Sequence, residues 1–145
     1  MTITEGLRAE HHIFLQLFEQ IEKLLPGLNS LSEVSAMAKL VQGTLENHAS
    51  NETQLAYLVL DHKLAETGPL DRLHMDHDEI DANLLAVHDA KTSSLAKKRL
   101  QLALQATRRH FRLEEKSIFP LIERTLQPET LQELGTAWLQ KQQET

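Results

Sequence analysis

Hydrophobic residues recur every three or four positions through four long segments of the chain and one shorter segment. From Leu7 to Leu25, for example, this spacing places the apolar side chains on one face of an α-helix. No segment alternates apolar and polar residues for long enough to predict a β-strand. The pattern predicts helices over about Ile3 to Leu25, Leu31 to His62, Leu70 to Ala90, Leu95 to Leu126 and Glu129 to Gln140.

Turn-forming residues separate these segments. Pro26-Gly27 and Gln127-Pro128 interrupt the periodic pattern, as do Gly68-Pro69 and the polar stretch that begins at Lys91. Long amphipathic helices with short connections favour antiparallel neighbours. The predicted fold is therefore all-α, an up-down-up-down four-helix bundle of about residues 3–126 with a short C-terminal fifth helix packed across one end.

Composition excludes several kinds of function. The 145 residues contain no cysteine, which excludes thiolate metal sites and disulfides. The net charge is −6 without a long basic run, so we expect no nucleic-acid partner. No apolar stretch approaches the 18 residues of a membrane span, and the N-terminus lacks the apolar core of a signal peptide. We therefore expect no membrane partner and a cytoplasmic location.

Two histidines are each followed by a glutamate four residues later: His48 by Glu52, and His110 by Glu114. On a helix these positions share a face and lie about 6 Å apart. Imidazole and carboxylate donors on facing bundle helices are the means by which di-iron sites are built, and they also suit manganese. The two pairs are therefore candidate metal ligands.

The other two bundle helices each place one histidine on the apolar face, His11 and His77, and an acidic residue precedes each. The lone histidines are 66 residues apart and the paired ones 62, so the chain contains a weak internal duplication. Counted from the nearest turn at 1.5 Å per residue, all four histidines lie about 21–26 Å along their helices. We therefore expect them at one level of the bundle.

Some positions leave alternatives open. His12 competes with His11 for the inner face of the first helix, and His74 competes with or adds to His77 on the third. Tyr57 comes five residues after Glu52, which in a regular helix places it off the ligand face, in a packing role. Beyond Glu52, the regular period predicts that Leu55, Leu58 and Val59 face the core.

The segment from His110 to Ile122 reads HFRLEEKSIFPLI and resembles the signature of the hemerythrin-like, HHE cation-binding domain family. The second helix resembles a degenerate copy that keeps His48 and Glu52. The acid-histidine pairs that end at His11 and His77 sit where the family places its lone histidines. The resemblance covers about residues 3–126, and residues 1–145 are interpreted as a single hemerythrin-like domain.

The resemblance implies a bundle around two carboxylate-bridged, non-heme iron ions. The implied metal ligands are the four histidines, two for each iron, and two bridging glutamates: His11, His48, Glu52, His77, His110 and Glu114. The implied partner is a small ligand such as dioxygen, nitric oxide or peroxide, or the function is iron handling. The chain departs from true hemerythrins, which have a fifth histidine and an aspartate where Glu115 stands, so oxygen transport is the less expected role.

Two alternatives remain open at this stage. The same donors accept manganese or zinc instead of iron. A bundle without metal, such as a histidine phosphotransfer module, requires one exposed histidine instead of several convergent ones. The sequence does not decide whether the protein is an enzyme.

Overall fold

The computed structural model describes residues 1–63 and 68–144, and in these ranges the chain forms helices and no β-strand. The helices are α1 (Ile3–Leu24), α2 (Leu31–Glu52), α3 (Leu58–Lys63), α4 (Gly68–Asp89), α5 (Ser93–Leu113), α6 (Phe119–Thr125) and α7 (Pro128–Gln143). A 3₁₀ turn, Leu25–Gly27, follows α1. The predicted all-α bundle with a shorter C-terminal helix is confirmed. In the described ranges no helix is long and apolar enough to cross a membrane.

Side-chain caps define where three of the helices begin. The hydroxyl of Thr2 accepts a hydrogen bond from the backbone N–H of Glu5, and the carboxylate of Glu5 accepts one from the backbone N–H of Thr2. Ser30 caps α2 and Thr92 caps α5 in the same way, each accepting from the N–H three residues on. These bonds satisfy N–H groups that the first helical turn leaves without partners.

One π-helical turn joins α2 to α3 (Thr53–Tyr57), and another joins α5 to α6 (Glu114–Ile118). In each turn a backbone N–H bonds the carbonyl five residues earlier: Leu58 to Thr53, and Phe119 to Glu114. A π turn carries more residues than an α turn, so it rotates the rest of the helix relative to the regular period.

This rotation changes which side chains of the second rod, α2 with α3, are fully buried. Leu58 is exposed, and Leu55 and Val59 are half-buried. The fully buried side chains are instead Ala56, Tyr57 and Leu60, each one position from the predicted ones. Leu55 and Val59 still pack against the core as predicted, but the prediction was wrong for Leu58, because it assumed a regular α-helix where the π turn occurs.

The apolar core divides into two clusters along the bundle axis. One surrounds Phe14, Phe18 and Leu104, and the other surrounds Leu7 and Phe119. The bundle is built from four rods: α1, α2 with α3, α4, and α5 with α6. Each rod passes from one cluster to the other through a segment that carries a candidate histidine, for example from Leu7 through His11 to Phe14. A polar layer therefore crosses the middle of an otherwise apolar interior.

The C-terminal helix α7 packs mainly against α1, and the contact is close enough to require glycine twice. A Cβ atom at Gly6 would lie 2.9 Å from the ring of Trp138. A Cβ at Gly135 would lie 2.1 Å from the backbone oxygen of Met1. Trp138 itself is buried in the second cluster, so α7 is fixed to the N-terminal end of α1.

Candidate metal centre

The six side chains singled out in the sequence meet in the polar layer. Their donor atoms form two groups, and within each group the atoms lie within 4.8 Å of one another. The first group contains His11, His48, Glu52 and Glu114, and the second contains Glu52, His77 and His110. Four rods contribute donors, and the carboxylate of Glu52 belongs to both groups. The structure therefore brings all six residues together, and their role as ligands stays a prediction.

Short distances connect the two groups. His48 Nε2 lies 3.2 Å from Glu52 Oε2, and His110 Nε2 lies 2.7 Å from Glu114 Oε1. His77 Nε2 lies 3.6 Å from Glu52 Oε1 and 2.9 Å from His110 Nε2. His11 Nε2 lies 3.9–4.0 Å from both carboxylates. Every histidine thus turns the same ring nitrogen toward the shared carboxylates.

Several of these donor atoms are buried, and despite the short distances given above they make no contact with hydrogen-bond geometry. The atoms are His11 Nε2, His48 Nε2, Glu52 Oε1 and Oε2, and Glu114 Oε1. An unpartnered buried polar group costs about 1–3 kcal/mol, and a buried carboxylate costs more. A cation among these atoms would satisfy them together. The residues present therefore fit a metal site that uses nitrogen and oxygen donors.

In three of the histidines, the ring nitrogen that faces away from the centre, Nδ1, contacts a carboxylate. Nδ1 of His48 lies 3.2 Å from Glu10 Oε2, and Nδ1 of His11 lies 2.9 Å from Glu115 Oε1. Nδ1 of His110 lies 3.4 Å from Asp76 Oδ2. An acceptor at Nδ1 places the proton there and leaves Nε2 free to bind a metal. The sequence shows Glu10 and Asp76 only as acids that directly precede a lone histidine. In the structure each contacts a histidine of the neighbouring helix instead: Glu10 contacts His48, and Asp76 contacts His110.

Tyr57 belongs to the site, contrary to the sequence-based expectation. Its side chain is fully buried, and its hydroxyl donates to Glu114 Oε2 at 2.6 Å. The π turn from Thr53 to Tyr57 brings position 57 beneath Glu52, where a regular helix would rotate it away. The hydroxyl thereby holds one of the two oxygens of a predicted bridging carboxylate.

Burial and mutual charge shift the titration of the histidines in opposite directions. Burial and the neighbouring His48 lower the pKa of His11 to about 3. Burial also disfavours the charge on His48, but the carboxylates of Glu52 and Glu10 raise its pKa to about 10. His110 behaves similarly: its burial is outweighed by Glu114 and Glu52, which raise its pKa to about 10.

The pKa values of the two central carboxyl groups, Glu52 and Glu114, are also shifted in opposite directions. Burial and the charge of Glu52 raise the pKa of Glu114 to about 8. Glu52 is equally buried, yet the charge of His48 holds the pKa of Glu52 well below its usual value. Without a cation, the site thus balances two carboxyl groups with protons on the histidines and on Glu114.

A cavity of about 180 Å³ lies beside His77 and His110 and opens to solvent. Its walls are partly apolar and partly acidic: Leu45, Glu46, Ile80, Asp81, Thr107 and Phe111, together with parts of His48 and Ala49. The side chain of His77 is 20 % exposed, whereas that of His11 is fully buried. His77 is therefore the most exposed predicted ligand, and the cavity also reaches His48 of the first donor group.

The competing histidines lie outside the cluster. His12 is exposed and its ring contacts Gln16, while His11 is buried. His74 is exposed and meets the ring of Tyr57 edge-on, with 6.3 Å between ring centroids. The geometry thus favours His11 over His12 and His77 over His74.

The comparison with known families agrees with this geometry. The model of the hemerythrin HHE cation-binding domain matches residues 2–122, which is most of the chain. Searches of curated proteins and of solved structures return no significant match. The matched region contains all six convergent side chains and ends before α7. The chain belongs to the hemerythrin HHE cation-binding domain family.

Proposed function

We propose that the protein is a non-heme di-iron protein that binds or processes a small ligand such as dioxygen, nitric oxide or peroxide, or handles iron. The observation that carries the proposal is the convergence of histidine and glutamate donor atoms from four rods, several of them buried and without a hydrogen-bond partner. His11 and His48 would hold one ion, and His77 and His110 would hold the other. Glu52 and Glu114 would bridge the two ions.

The donor chemistry supports iron. Four imidazoles and two carboxylates form a mixed nitrogen and oxygen set without sulfur, which suits ferrous and ferric ions. Two ferrous ions carry a charge of about +4, and the two carboxylates offset half of it. Manganese and zinc accept the same donors, so the choice among them falls to metal analysis.

The accessible cavity supports a small ligand. Six protein donors leave each ion short of octahedral coordination, so each ion would offer open positions to a ligand. The cavity of about 180 Å³ beside His77 and His110 admits a molecule of a few atoms. Its apolar walls, such as Leu45 and Ile80, would limit the number of water molecules that reach the site.

Elemental analysis combined with optical spectroscopy tests the proposal. Protein produced with iron should contain two iron ions per chain and absorb in the near ultraviolet. Azide or peroxide should change that absorption, because either ligand would enter an open position. Protein that does not bind two ferrous ions per chain would contradict the proposal. Manganese or zinc in the native protein would identify a metal other than iron.

A further inference from the structure

One oxygen atom connects the C-terminal helix to the candidate metal centre. The indole N–H of Trp138 donates to Glu10 Oε2 at 3.0 Å, and Nδ1 of His48 lies 3.2 Å from the same atom. Trp138 is 7 % exposed and Glu10 is largely covered, so the chain of contacts is shielded from solvent. The indole, the carboxylate and the imidazole therefore form one polar chain from α7 to a predicted ligand.

Packing fixes the position of the indole. Its ring lies so close to Gly6 that a Cβ there would approach to 2.9 Å. Gly135, one turn before Trp138, lies against the backbone of Met1 and Thr2. Because α7 is held this closely on α1, the N–H of Trp138 points at Glu10 from a fixed place.

The equivalent carboxylate in the other half of the bundle is held differently. Asp76 contacts Nδ1 of His110 and accepts from Arg72 at 2.9 Å, but the Arg72 side chain is 69 % exposed. A flexible, solvated arginine constrains a carboxylate less than a buried indole does. Among the residues that the structure describes, only those of the first half receive a rigid donor from outside the four bundle rods.

We infer that Trp138 is a positioning residue for the metal centre, acting through Glu10 to orient His48. The inference rests on the proposed metal site. Partners that orient a metal-binding imidazole typically change metal affinity by 10–100-fold when they are removed. Helix α7, which lies beyond the family match, thus supplies part of the support of the first metal position.

The single tryptophan gives a direct signal for the test. Zinc, which is diamagnetic, is titrated into the metal-free wild-type protein while the indole N–H resonance of Trp138 is recorded by NMR. A zinc ion at His48 Nε2 takes the place of a proton there, which changes how strongly Nδ1–H donates to Glu10 and hence the strength of the indole bond to the same oxygen. The resonance should therefore move as zinc binds. A fixed resonance while two zinc ions bind would overturn the inference, even if no variant can be made.

Two variants separate hydrogen bonding from packing. Trp138→Phe keeps a ring against Gly6 but removes the N–H, and it should bind one of two zinc ions roughly tenfold more weakly. Leu131→Ala loosens the same helix but leaves the indole N–H, and it should bind both ions as the wild type does. Wild-type affinity in Trp138→Phe, or an equal loss in Leu131→Ala, would overturn the inference and leave the proposed metal site intact. Failure of the wild-type protein to bind either zinc or iron would overturn both.

Discussion

The first and second halves of the bundle carry the same ligand pattern in different surroundings. In the first half, His11 and His48 are buried, and their outer nitrogens contact Glu115 and Glu10. In the second half, His77 lines a cavity that opens to solvent. The duplicated set of ligands is therefore enclosed at its His11 end and accessible at its His77 end. This difference comes from the neighbours of the ligands and not from the ligands themselves.

The aromatic residues that follow the two glutamates show the same divergence. Tyr57 and Phe119 each come five residues after a glutamate; Tyr57 is the last residue of one π turn, and Phe119 directly follows the other. Tyr57 donates a hydrogen bond to Glu114, whereas Phe119 packs its ring 5.3 Å from that of His11. The same backbone device thus places a polar group on one side of the centre and an apolar ring on the other.

The largest effect is expected for Glu52→Ala, which removes the carboxylate that both donor groups share. Metal content should fall from two ions per chain to nearly none. Elemental analysis after gel filtration measures the loss, with Glu79→Ala, an exposed acid paired with Arg109, as the control. Retention of one tightly bound ion would show that the two positions are independent and would contradict the shared role of Glu52.

Removal of one histidine from each half tests how easily a small molecule reaches each metal position. His11→Ala and His77→Ala should each retain about one ion, because each removes a donor from one group. Millimolar imidazole should restore the second ion to His77→Ala through the cavity, but not to His11→Ala, whose site is closed. Equal rescue of both variants would contradict the assignment of an open and a closed position.

His12→Ala serves as the register control for this pair. Its side chain is exposed and belongs to neither donor group, so both ions should remain. Loss of iron in this variant would mean that the inner face of α1 carries His12 instead of His11.

A smaller effect is expected for Tyr57→Phe, which removes only the hydroxyl that Glu114 accepts. In the metal-free protein the loss should cost about 1 kcal/mol of unfolding free energy while Glu114 is neutral. It should cost about 1.5–3 kcal/mol once the carboxylate is charged. Because the pKa of Glu114 is raised to about 8, the cost should grow as the pH rises through that value. Denaturant unfolding at several pH values measures it, and a cost that does not change with pH would contradict the account.

The pH dependence of stability should reverse when metal binds. In the metal-free protein the pKa of His48 and that of His110 are raised to about 10, above the ordinary 6.5. Their contribution is complete below pH 6.5 and is lost as the pH rises through 10. His11, whose pKa is lowered to about 3, contributes above pH 6.5 and loses that contribution toward pH 3.

Metal ligands must instead be deprotonated, so the loaded protein should lose its ions as the pH falls. Zinc binding at pH 7 should correspondingly release about two to three protons, from His48, His110 and Glu114. A pH indicator in weak buffer measures the release. Binding without proton release would contradict the protonation of the metal-free site.

The sequence was sufficient for the features that depend on regular periodicity. The spacing of His48 and Glu52, repeated at His110 and Glu114, placed these side chains on one face, because α2 and α5 are regular up to the glutamates. The lone histidines followed from their positions on the apolar faces of α1 and α4. The fold class followed from the same periodicity and from the few turns.

The sequence was insufficient where the backbone leaves the regular helix. The π turns change the phase of everything that follows them, and no residue in Thr53–Tyr57 marks such a turn in a single sequence. A regular helix therefore predicts Tyr57 off the ligand face, although its hydroxyl contacts Glu114. The contact of Trp138 with Glu10 joins residues 128 positions apart, which periodicity does not detect.

A crystal structure of the iron-loaded protein, with anomalous scattering recorded at the iron edge, would locate the bound ions. We predict two anomalous peaks about 3.5–4 Å apart, the separation usual in two-metal sites. One peak should lie among His11, His48 and the two glutamates, and the other beside His77 and His110. A single peak, or peaks on the surface away from Glu52, would contradict the account.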